Sequence, residues 1–204
     1  MVQPPPEGRI TSQLSQPASP PEVIDERAAV DAVLAGDRDA FRVLVERESA
    51  AVIRACHRIL GDTHDAEDAA QEAFVIAFRG LAGWRGDGPF GAWTTRIAVR
   101  IALRRAQKRR DVAWIDPAHP DRPRDVPGGL DPASSSIRTE RAADVRAAVA
   151  RLDEPYRETI ALRFFGELSL AEIATATGRP LGTVKTHLHR GLLRLRGLVD
   201  GNAQ

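Results

Sequence analysis

The chain has 204 residues, 43% of them hydrophobic, which is enough for one large or two small packed domains. Its 29 basic and 28 acidic residues nearly cancel, so any electrostatic recognition must come from how the charges are distributed. A single cysteine excludes an internal disulfide and a zinc site built from several cysteines. The sequence contains no apolar run of signal-peptide or membrane-span length, and we therefore expect a cytoplasmic protein with no membrane contact of its own.

Two proline-rich stretches divide the chain. Six of the 14 prolines lie in the first 21 residues, and five more lie within 117–132. Both stretches are poor in large apolar residues, so burial cannot offset the entropy lost on ordering them. We predict a disordered leader at 1–24, a compact segment at 25–111, a flexible linker at 112–136, a second compact segment at 137–199 and a tail at 200–204.

Apolar residues of the first segment recur at helical spacing. From Phe41 to Leu60 they follow one another at steps of three, four and seven, and no alternating run indicates a strand. A second helix is expected to begin at Asp62 or Thr63, either of which can cap it. Its predicted buried residues are Ala66, Ala69, Ala70, Ala73, Phe74, Ala77, Phe78 and Leu81. After a glycine-rich break, a third helix is expected to carry Trp93, Ile97 and Ile101 on one face.

Charge is segregated within this segment. Residues 62–72 contain five acidic residues and no Lys or Arg, whereas 96–110 contain seven Lys and Arg residues and no acid. Four of these bases recur at every fourth position, which places like charges in a single repelling stripe. This basic stripe comprises Arg96, Arg100, Arg104 and Lys108. Both runs are compatible with solvated helix surfaces, but the stripe favours neutralisation by a polyanion such as nucleic acid.

The second segment contains two predicted helices separated by a short turn. In "ELSLAEIATATGRP" the apolar Leu170, Ile173 and Ala174 are expected to point inward. Gly178 suits a positive φ, and Pro180 suits the first turn of the next helix. A helix, a short glycine turn and a second helix form the helix-turn-helix arrangement.

The helix after this turn is predicted to have one apolar and one polar face. A rotation of about 100° per residue gathers the apolar positions Leu181, Val184, Leu188, Leu192 and Leu195. Opposite them are Gly182, Thr183, Thr186 and Arg190, with Lys185, His187 and His189 on the flanks. Hydroxyl and guanidinium groups suit phosphates and base edges. A plain helical hairpin would show the same spacing, but residues 179–196 contain no acid, which favours DNA.

Five features in this order resemble a bacterial sigma factor of the extracytoplasmic function (ECF) group, in the sigma-70 family. They are "DAEDAAQEAFVIAFR", "FGAWTTRIAVRIA", the proline-rich linker, "LDEPYRETIALRFFGELSLAEIA" and "GTVKTHLHRGLLRLR". The resemblance covers residues 25–197 and implies an all-α fold of two small domains joined by a flexible linker. The first, a sigma-two helical bundle, would bind the clamp helices of core RNA polymerase and melt the minus-ten element. The second, a sigma-four helix-turn-helix domain, would contact the polymerase flap and read the minus-thirty-five element.

The resemblance also implies roles for individual residues. Those matching the polymerase-docking helix are Asp65, Asp68, Gln71, Glu72 and Arg79. Those matching the minus-ten site are Trp84, Arg85, Asp87, Phe90, Arg96, Arg100, Arg104 and Arg105. The minus-thirty-five site would use Arg179, Gly182, Thr183, Lys185, Thr186, His187 and Arg190. Trp84 and Phe90 are candidates for base stacking or for the core, Trp93 is assigned to the core, and Arg100 replaces the family's usual asparagine.

No enzyme, metal site or cofactor is predicted. Cys56, His57 and His64 lack ligand spacing, and His187 and His189 point to different sides of their helix. A stand-alone repressor would leave the acidic helix and the basic stripe unexplained, and a protein-interaction adaptor would leave the recognition helix unused. The expected partners are therefore core RNA polymerase, promoter DNA and, as is common in the group, an anti-sigma factor.

Overall fold

The computed structural model describes residues 25–115 and 132–200, with side chains described at 25–109 and 140–199. Within these ranges the chain forms eight α-helices and one 3-10 turn and contains no strand, which confirms the all-α prediction. None of the helices in the described ranges has the length and apolar character needed to cross a membrane. The predicted leader at 1–24 and most of the predicted linker, residues 116–131, lie outside these ranges.

The first unit, residues 25–115, is a bundle of four helices. They are α1 (Glu26–Leu34), α2 (Arg38–Leu60), α3 (Thr63–Arg79) and α4 (Phe90–Ile115), with the 3-10 turn at Leu81–Gly83. Aspartate side chains cap the first three helices: Asp25, Asp37 and Asp62 each accept a hydrogen bond from a backbone N–H of the first turn. The predicted start of α3 at Asp62 or Thr63 is confirmed.

The second unit, residues 132–200, contains the predicted helix-turn-helix. Its helices are α5 (Pro132–Ala150), α6 (Tyr156–Phe164), α7 (Leu170–Thr177) and α8 (Leu181–Asp200). Ser169 and Glu172 form a reciprocal capping box at the start of α7, and Gly178 ends this helix at φ 66°. The predicted glycine turn between α7 and α8 is therefore confirmed.

Helices extend into both ends of the predicted linker. The sequence placed residues 112–136 in one extended segment, but α4 continues to Ile115 and α5 already begins at Pro132. A proline is tolerated in the first turn of a helix because its missing N–H would have no intrahelical partner there. Pro132, one of the five prolines that indicated a linker, is thus the first residue of α5.

The predicted core residues are buried or half-buried, with three exceptions. Phe78 is 41% exposed, Leu181 42% and Leu192 41%, although each was predicted to point inward. On α8 the buried side contains Val184 and Gly191, and Leu188, Leu195 and Leu198 are partly buried against it. Because Gly191 lies against Ile160 and Tyr156, α8 approaches α6 through this glycine, and Leu192 is rotated toward the surface.

The two units pack against each other. Ala98 and Ala102 of α4 share one buried cluster with Leu162, Leu168 and Ile173 of the second unit.

Cys56 of α2 belongs to the same cluster, where its thiol lies 3.9 Å from the Ala98 carbonyl oxygen. Burial raises the pKa of this thiol to about 12, so it remains protonated at neutral pH.

Gly191→Val should destabilise the second unit by about 1 to 3 kcal/mol because it overpacks the α6–α8 contact. A Cβ atom at this position would lie 3.0 Å from Ile160 Cγ1 and 3.3 Å from Tyr156 Cβ. The control is Gly197→Ala on the same helix, where a Cβ atom meets nothing within 4 Å. It should stabilise the chain by about 0.5 to 1 kcal/mol through helix propensity. Urea unfolding of the full chain measures both, and equal effects would contradict the packing assignment.

Candidate nucleic-acid interface

The outward side of α3 is the candidate polymerase-docking face. Four residues at helical spacing are exposed there, whereas Ala66, Ala69 and Ala73 on the opposite side are fully buried. The docking face comprises Asp68, Glu72, Val75 and Arg79. Gln71 is exposed beside it, and Asp65 is half-buried. The structure thus brings together the five residues that the resemblance assigned to polymerase binding.

An apolar groove borders the docking face. It has a volume of about 580 Å³ and is lined by Phe41, Ile53, Phe74, Val75 and Phe78. Phe78 and Val75 are 41% and 44% exposed, and the rings of Phe41 and Phe78 lie edge to face with centroids 5.0 Å apart. The exposure of Phe78 that the sequence did not predict therefore extends this outward surface.

Acidic residues of α3 pair with only part of the basic run on α4. Arg105 Nη2 donates to Glu72 Oε2 at 2.6 Å, and Arg109 forms an ion pair with Asp65. Arg105 also contacts the Asp65 carbonyl oxygen at 3.5 Å. Arg105, which the resemblance placed at the minus-ten site, therefore faces α3, whereas the basic stripe lies on another side of α4.

Phe90 is a core residue. It is 0% exposed, and its ring centroid lies 5.8 Å from that of Trp93 and 6.2 Å from that of Trp84. Its backbone N–H donates to Glu26 Oε2 at 2.8 Å. Of the two readings that the sequence left open for Phe90, base stacking or core, the structure gives the core, because the ring starts α4 inside an aromatic cluster.

Residues 84–90, called loop 84–90 here, end at the first residue of α4 and line a polar cavity. Trp84 is half-buried, while Arg85 and Asp87 are exposed and form an ion pair at 2.9 Å. The cavity measures about 420 Å³ and is lined by Trp84, Asp87 and Arg96, together with Thr175 and Gly178 of the second unit. The helix-turn-helix therefore forms one wall of the candidate minus-ten pocket.

Two residues of the basic stripe meet a buried carboxylate from the second unit. Glu158 of α6 is 6% exposed, and its Oε1 lies 3.2 Å from Arg96 Nε and 4.0 Å from Arg100 Nε. Its Oε2 lies 2.9 Å from Nη2 of Arg179, in the turn before α8. These four residues form the Glu158 ion-pair cluster. Arg104 and Lys108, further along the stripe, are exposed.

Sequence reasoning missed Glu158. In "LDEPYRETIALRFF" it is one acidic residue among several charges, and helical spacing does not show which of them faces another domain. The only sequence signal for its partners was the single-sign stripe, which required a counter-charge. The structure supplies part of that charge from a residue more than fifty positions away in the chain.

The exposed side of α8 matches most of the predicted DNA-recognition face. Gly182, Lys185, Thr186 and Arg190 are exposed, and Thr183 is half-buried. Thr186 Oγ1 donates to the Gly182 carbonyl oxygen at 3.0 Å, which fixes the hydroxyl along the helix. Gly182, Thr183, Thr186 and Arg190 were predicted opposite Val184 and Lys185 on the flank, and their exposure beside a fully buried Val184 agrees with that arrangement.

His187, on the flank of this face, is half-buried and packs beside α6. Its ring lies edge to face with that of Tyr156, with centroids 5.7 Å apart, and its Nδ1 is buried with no hydrogen-bond partner among the described residues. Burial lowers the pKa of His187, and the charges of Arg179 and Arg190 lower it further. The ring is therefore neutral at neutral pH and packs beside α6. No group of three or more His, Cys, Asp or Glu within the described ranges could hold a metal ion.

Comparison with known families assigns both units. The model of sigma-70 region 2 matches residues 44–112, and that of sigma-70 region 4 matches residues 142–195. The chain is also 32% identical over 167 residues to the ECF RNA polymerase sigma factor SigW of Bacillus subtilis. The matched region covers 79% of this chain and 89% of that protein. The chain belongs to the ECF sigma factors. It is therefore a promoter-specificity subunit for transcription initiation.

Solved structures show the same fold. CnrH, solved in complex with the cytosolic domain of CnrY, superposes with a TM-score of 0.55 at 24% identity, over 86% of this chain and 97% of that one. The sigma factor RpoE of Bartonella quintana, solved with the anti-sigma factor NepR, gives a TM-score of 0.50 at 20% identity, over 78% and 96% of the two chains. The similarity to both structures extends across the two units of this sigma factor.

Phe90→Ala should destabilise this sigma factor by about 3 to 5 kcal/mol, because it removes a fully buried ring and leaves a cavity. Trp84→Ala, at the half-buried neighbour, should cost less. Urea unfolding of the full chain in the absence of DNA measures both. An unchanged unfolding midpoint for Phe90→Ala would show that the ring does not support the core.

Proposed function

We propose that this sigma factor binds core RNA polymerase through the docking face of α3 and reads the promoter with α4, loop 84–90 and α8. The observation that carries the proposal is the separation of charge on the first unit. An exposed acidic and apolar surface lies on α3, and a basic stripe without any acid lies on a different side of α4. A repressor needs no such acidic face, and an adaptor needs no basic stripe.

The docking face suits a protein partner. Asp68 and Glu72 are one turn apart and exposed, and the groove beside them is lined by aromatic and aliphatic side chains. Interfaces with proteins combine an apolar centre with a polar rim, and charge complementarity sets their orientation. We assign the clamp helices of core polymerase to this surface, with Asp65, Gln71 and Arg79 at its edge.

The minus-ten element is assigned to loop 84–90 and the basic stripe. A flipped base requires a shaped pocket and a stacking partner that replaces its neighbours in the duplex. Trp84 remains a candidate for that contact because it is half-buried at the cavity, whereas Phe90 is fully enclosed. Arg104 and Lys108 are exposed on the stripe and suited to phosphates. Arg105 is better placed to stabilise the α3–α4 contact.

The minus-thirty-five element is assigned to the exposed face of α8. A recognition helix contacts base edges with residues near its N-terminus, and Gly182, Lys185 and Thr186 lie in the first two turns. Arg190 is exposed one turn further on and can donate two hydrogen bonds to a guanine. His187 is left out of this contact set because its ring packs on Tyr156.

An anti-sigma factor is proposed as a second protein partner. RpoE of Bartonella quintana was solved in complex with the anti-sigma factor NepR. In this chain the groove beside α3 and the exposed Leu192 and Leu193 of α8 are apolar surfaces that such an inhibitor could cover. Covering them would compete with polymerase for the docking face.

Asp68→Arg should reduce promoter-directed transcription by core polymerase at least tenfold. The change replaces an acidic side chain of the docking face by a basic one. It therefore removes the charge complementarity that orients a protein partner. The measurement is transcription in vitro from the promoter of the protein's own gene, together with a pull-down of core polymerase. Asp31→Arg, at an exposed position of α1, is the matched control and should retain activity. Equal polymerase binding by both variants would refute the docking assignment, and no promoter-directed transcript from the unmodified chain would refute the function.

Arg190→Ala should weaken holoenzyme binding to the promoter by about 1 to 3 kcal/mol and relax the preference at a single base pair of the minus-thirty-five element. The reason is the loss of a bidentate contact to one guanine. Binding to a panel of single-base promoter variants measures it. A loss of equal size on every sequence would instead make Arg190 a phosphate contact.

A further inference from the structure

We infer that the first turn of α1 is part of the minus-ten site, where Glu26 positions the start of α4 and Arg27 contacts the phosphates of the opened DNA strand. The inference rests on the proposed function of loop 84–90. It adds two residues that neither helical periodicity nor the resemblance to the family placed near this element. Its structural basis is the contact of both side chains with the loop and with the helix that follows it.

Glu26 reaches from α1 to the first residue of α4. Its Oε2 accepts a hydrogen bond from the Phe90 N–H at 2.8 Å. The first N–H groups of a helix have no intrahelical partner, and the positive end of the helix dipole favours a carboxylate there. The first turn of α4, which begins "FGAW", contains no acid of its own. The carboxylate that stabilises this N-terminus therefore comes from another helix.

The side chain of Glu26 is held in place by α2. Arg47 forms ion pairs with both Glu26 and Glu48, and the three side chains are between 18% and 29% exposed. The Glu48 carboxylate also lies against the start of α4, where any side chain at Gly91 would collide with its Oε2. Two carboxylates joined by one guanidinium group thus fix the position at which α4 begins, and with it the end of loop 84–90.

Arg27 lies against the middle of the same loop. Gly86 has a φ of 70°, and a Cβ atom there would lie 2.8 Å from Arg27 Nη1. Arg27 Cζ and Trp84 Cη2 also lie within 4 Å of this point. Because glycine has no side chain, the guanidinium group of Arg27 can approach the loop backbone beside the edge of the Trp84 ring. This ring is the candidate stacking partner for a flipped base.

The guanidinium group of Arg27 is open to a ligand. The residue is exposed, and no carboxylate of the described residues lies within ion-pair distance of it. Arg85 of the loop, in contrast, is paired with Asp87 at 2.9 Å. A base that stacks on Trp84 brings the phosphates of its strand close to the loop, where an unpaired arginine can bind them. The geometry therefore favours Arg27 as a phosphate contact.

Arg27→Gln tests the contact with DNA. The measurement is equilibrium binding of the holoenzyme, over a range of salt concentrations, to a fragment of the promoter of the protein's own gene whose minus-ten element is single-stranded. Loss of one phosphate contact should weaken binding about three- to tenfold and reduce the slope of log affinity against log salt by about 0.7. Arg27→Lys keeps the charge and should retain most of the affinity.

The matched control for this charge removal is Arg38→Gln. Arg38 is also exposed but lies at the start of α2, beyond the far end of α1. This variant should bind the fragment like the unmodified chain. An unchanged affinity and salt slope for Arg27→Gln, or an equal loss for Arg38→Gln, would overturn the proposed contact.

Glu26→Ala tests the positioning of α4. It removes the acceptor of the Phe90 N–H, whereas Glu26→Gln keeps an acceptor and loses only the charge. In the free full-length chain, Glu26→Ala should make the Phe90 amide exchange with solvent about tenfold faster, as expected for the loss of a hydrogen bond to a charged group. Glu26→Gln should give a smaller increase, and Glu46→Ala, at an exposed acid of α2, should give none. Hydrogen exchange followed by NMR measures these rates, and equal rates for Glu26→Ala and Glu46→Ala would refute the positioning role.

Promoter binding by the same variants separates positioning from a merely structural role. A loop that adopts its binding shape only part of the time binds more weakly by that fraction, so Glu26→Ala should bind the single-stranded minus-ten fragment about fivefold more weakly. Its affinities for core polymerase and for a minus-thirty-five duplex should not change. A similar loss for all three partners would overturn the inference. If the unmodified holoenzyme binds the minus-ten fragment no better than a scrambled one, the proposed function fails, and exchange of the Phe90 amide still reports on Glu26.

Discussion

The structure depends on how the basic residues of α4 are neutralised. From Arg96 to Arg109 this helix has no acid of its own, and its bases at every fourth position would repel one another. Two neighbours supply counter-charge on different sides: α3 with Glu72 and Asp65, and α6 with Glu158. The first set stabilises the bundle of the first unit, and the second attaches the other unit. Arg104 and Lys108 remain exposed, and they are the part of the stripe that is open to phosphates.

Local sequence signals predicted the helices and the position of the turn in the helix-turn-helix. Capping residues such as Asp62, and Gly178 with its positive φ, act within one turn of the chain, so the sequence alone locates α3 and ends α7. The alanine face of α3 and the burial of Val184 followed from helical periodicity. The predicted linker was too long at both ends, because composition cannot distinguish an extended proline segment from a helix that begins with proline.

The incorrect core prediction for Leu192 has its cause in contact between distant parts of the chain. Helical periodicity placed Leu192 on the buried face of α8. Because α6 contacts α8 at Gly191, the buried face includes this glycine instead, and Leu192 is exposed. His187 packs on Tyr156 of α6. For Phe90 the sequence left base stacking and core both open, and contact with the distant Phe41, whose ring centroid lies 6.3 Å away, helps to enclose the ring in the core. Glu158 was missed because nothing local distinguishes an acid that faces another domain from one that faces water.

The proposed docking face and the proposed DNA surfaces differ in their exposure. Asp68, Glu72 and Val75 are exposed on α3. Arg96 and Arg179 contact the buried Glu158, and Thr175 and Gly178 of the second unit line the cavity at loop 84–90. In this structure the surface proposed for polymerase is therefore open, whereas the surfaces proposed for DNA are partly covered by contacts between the two units.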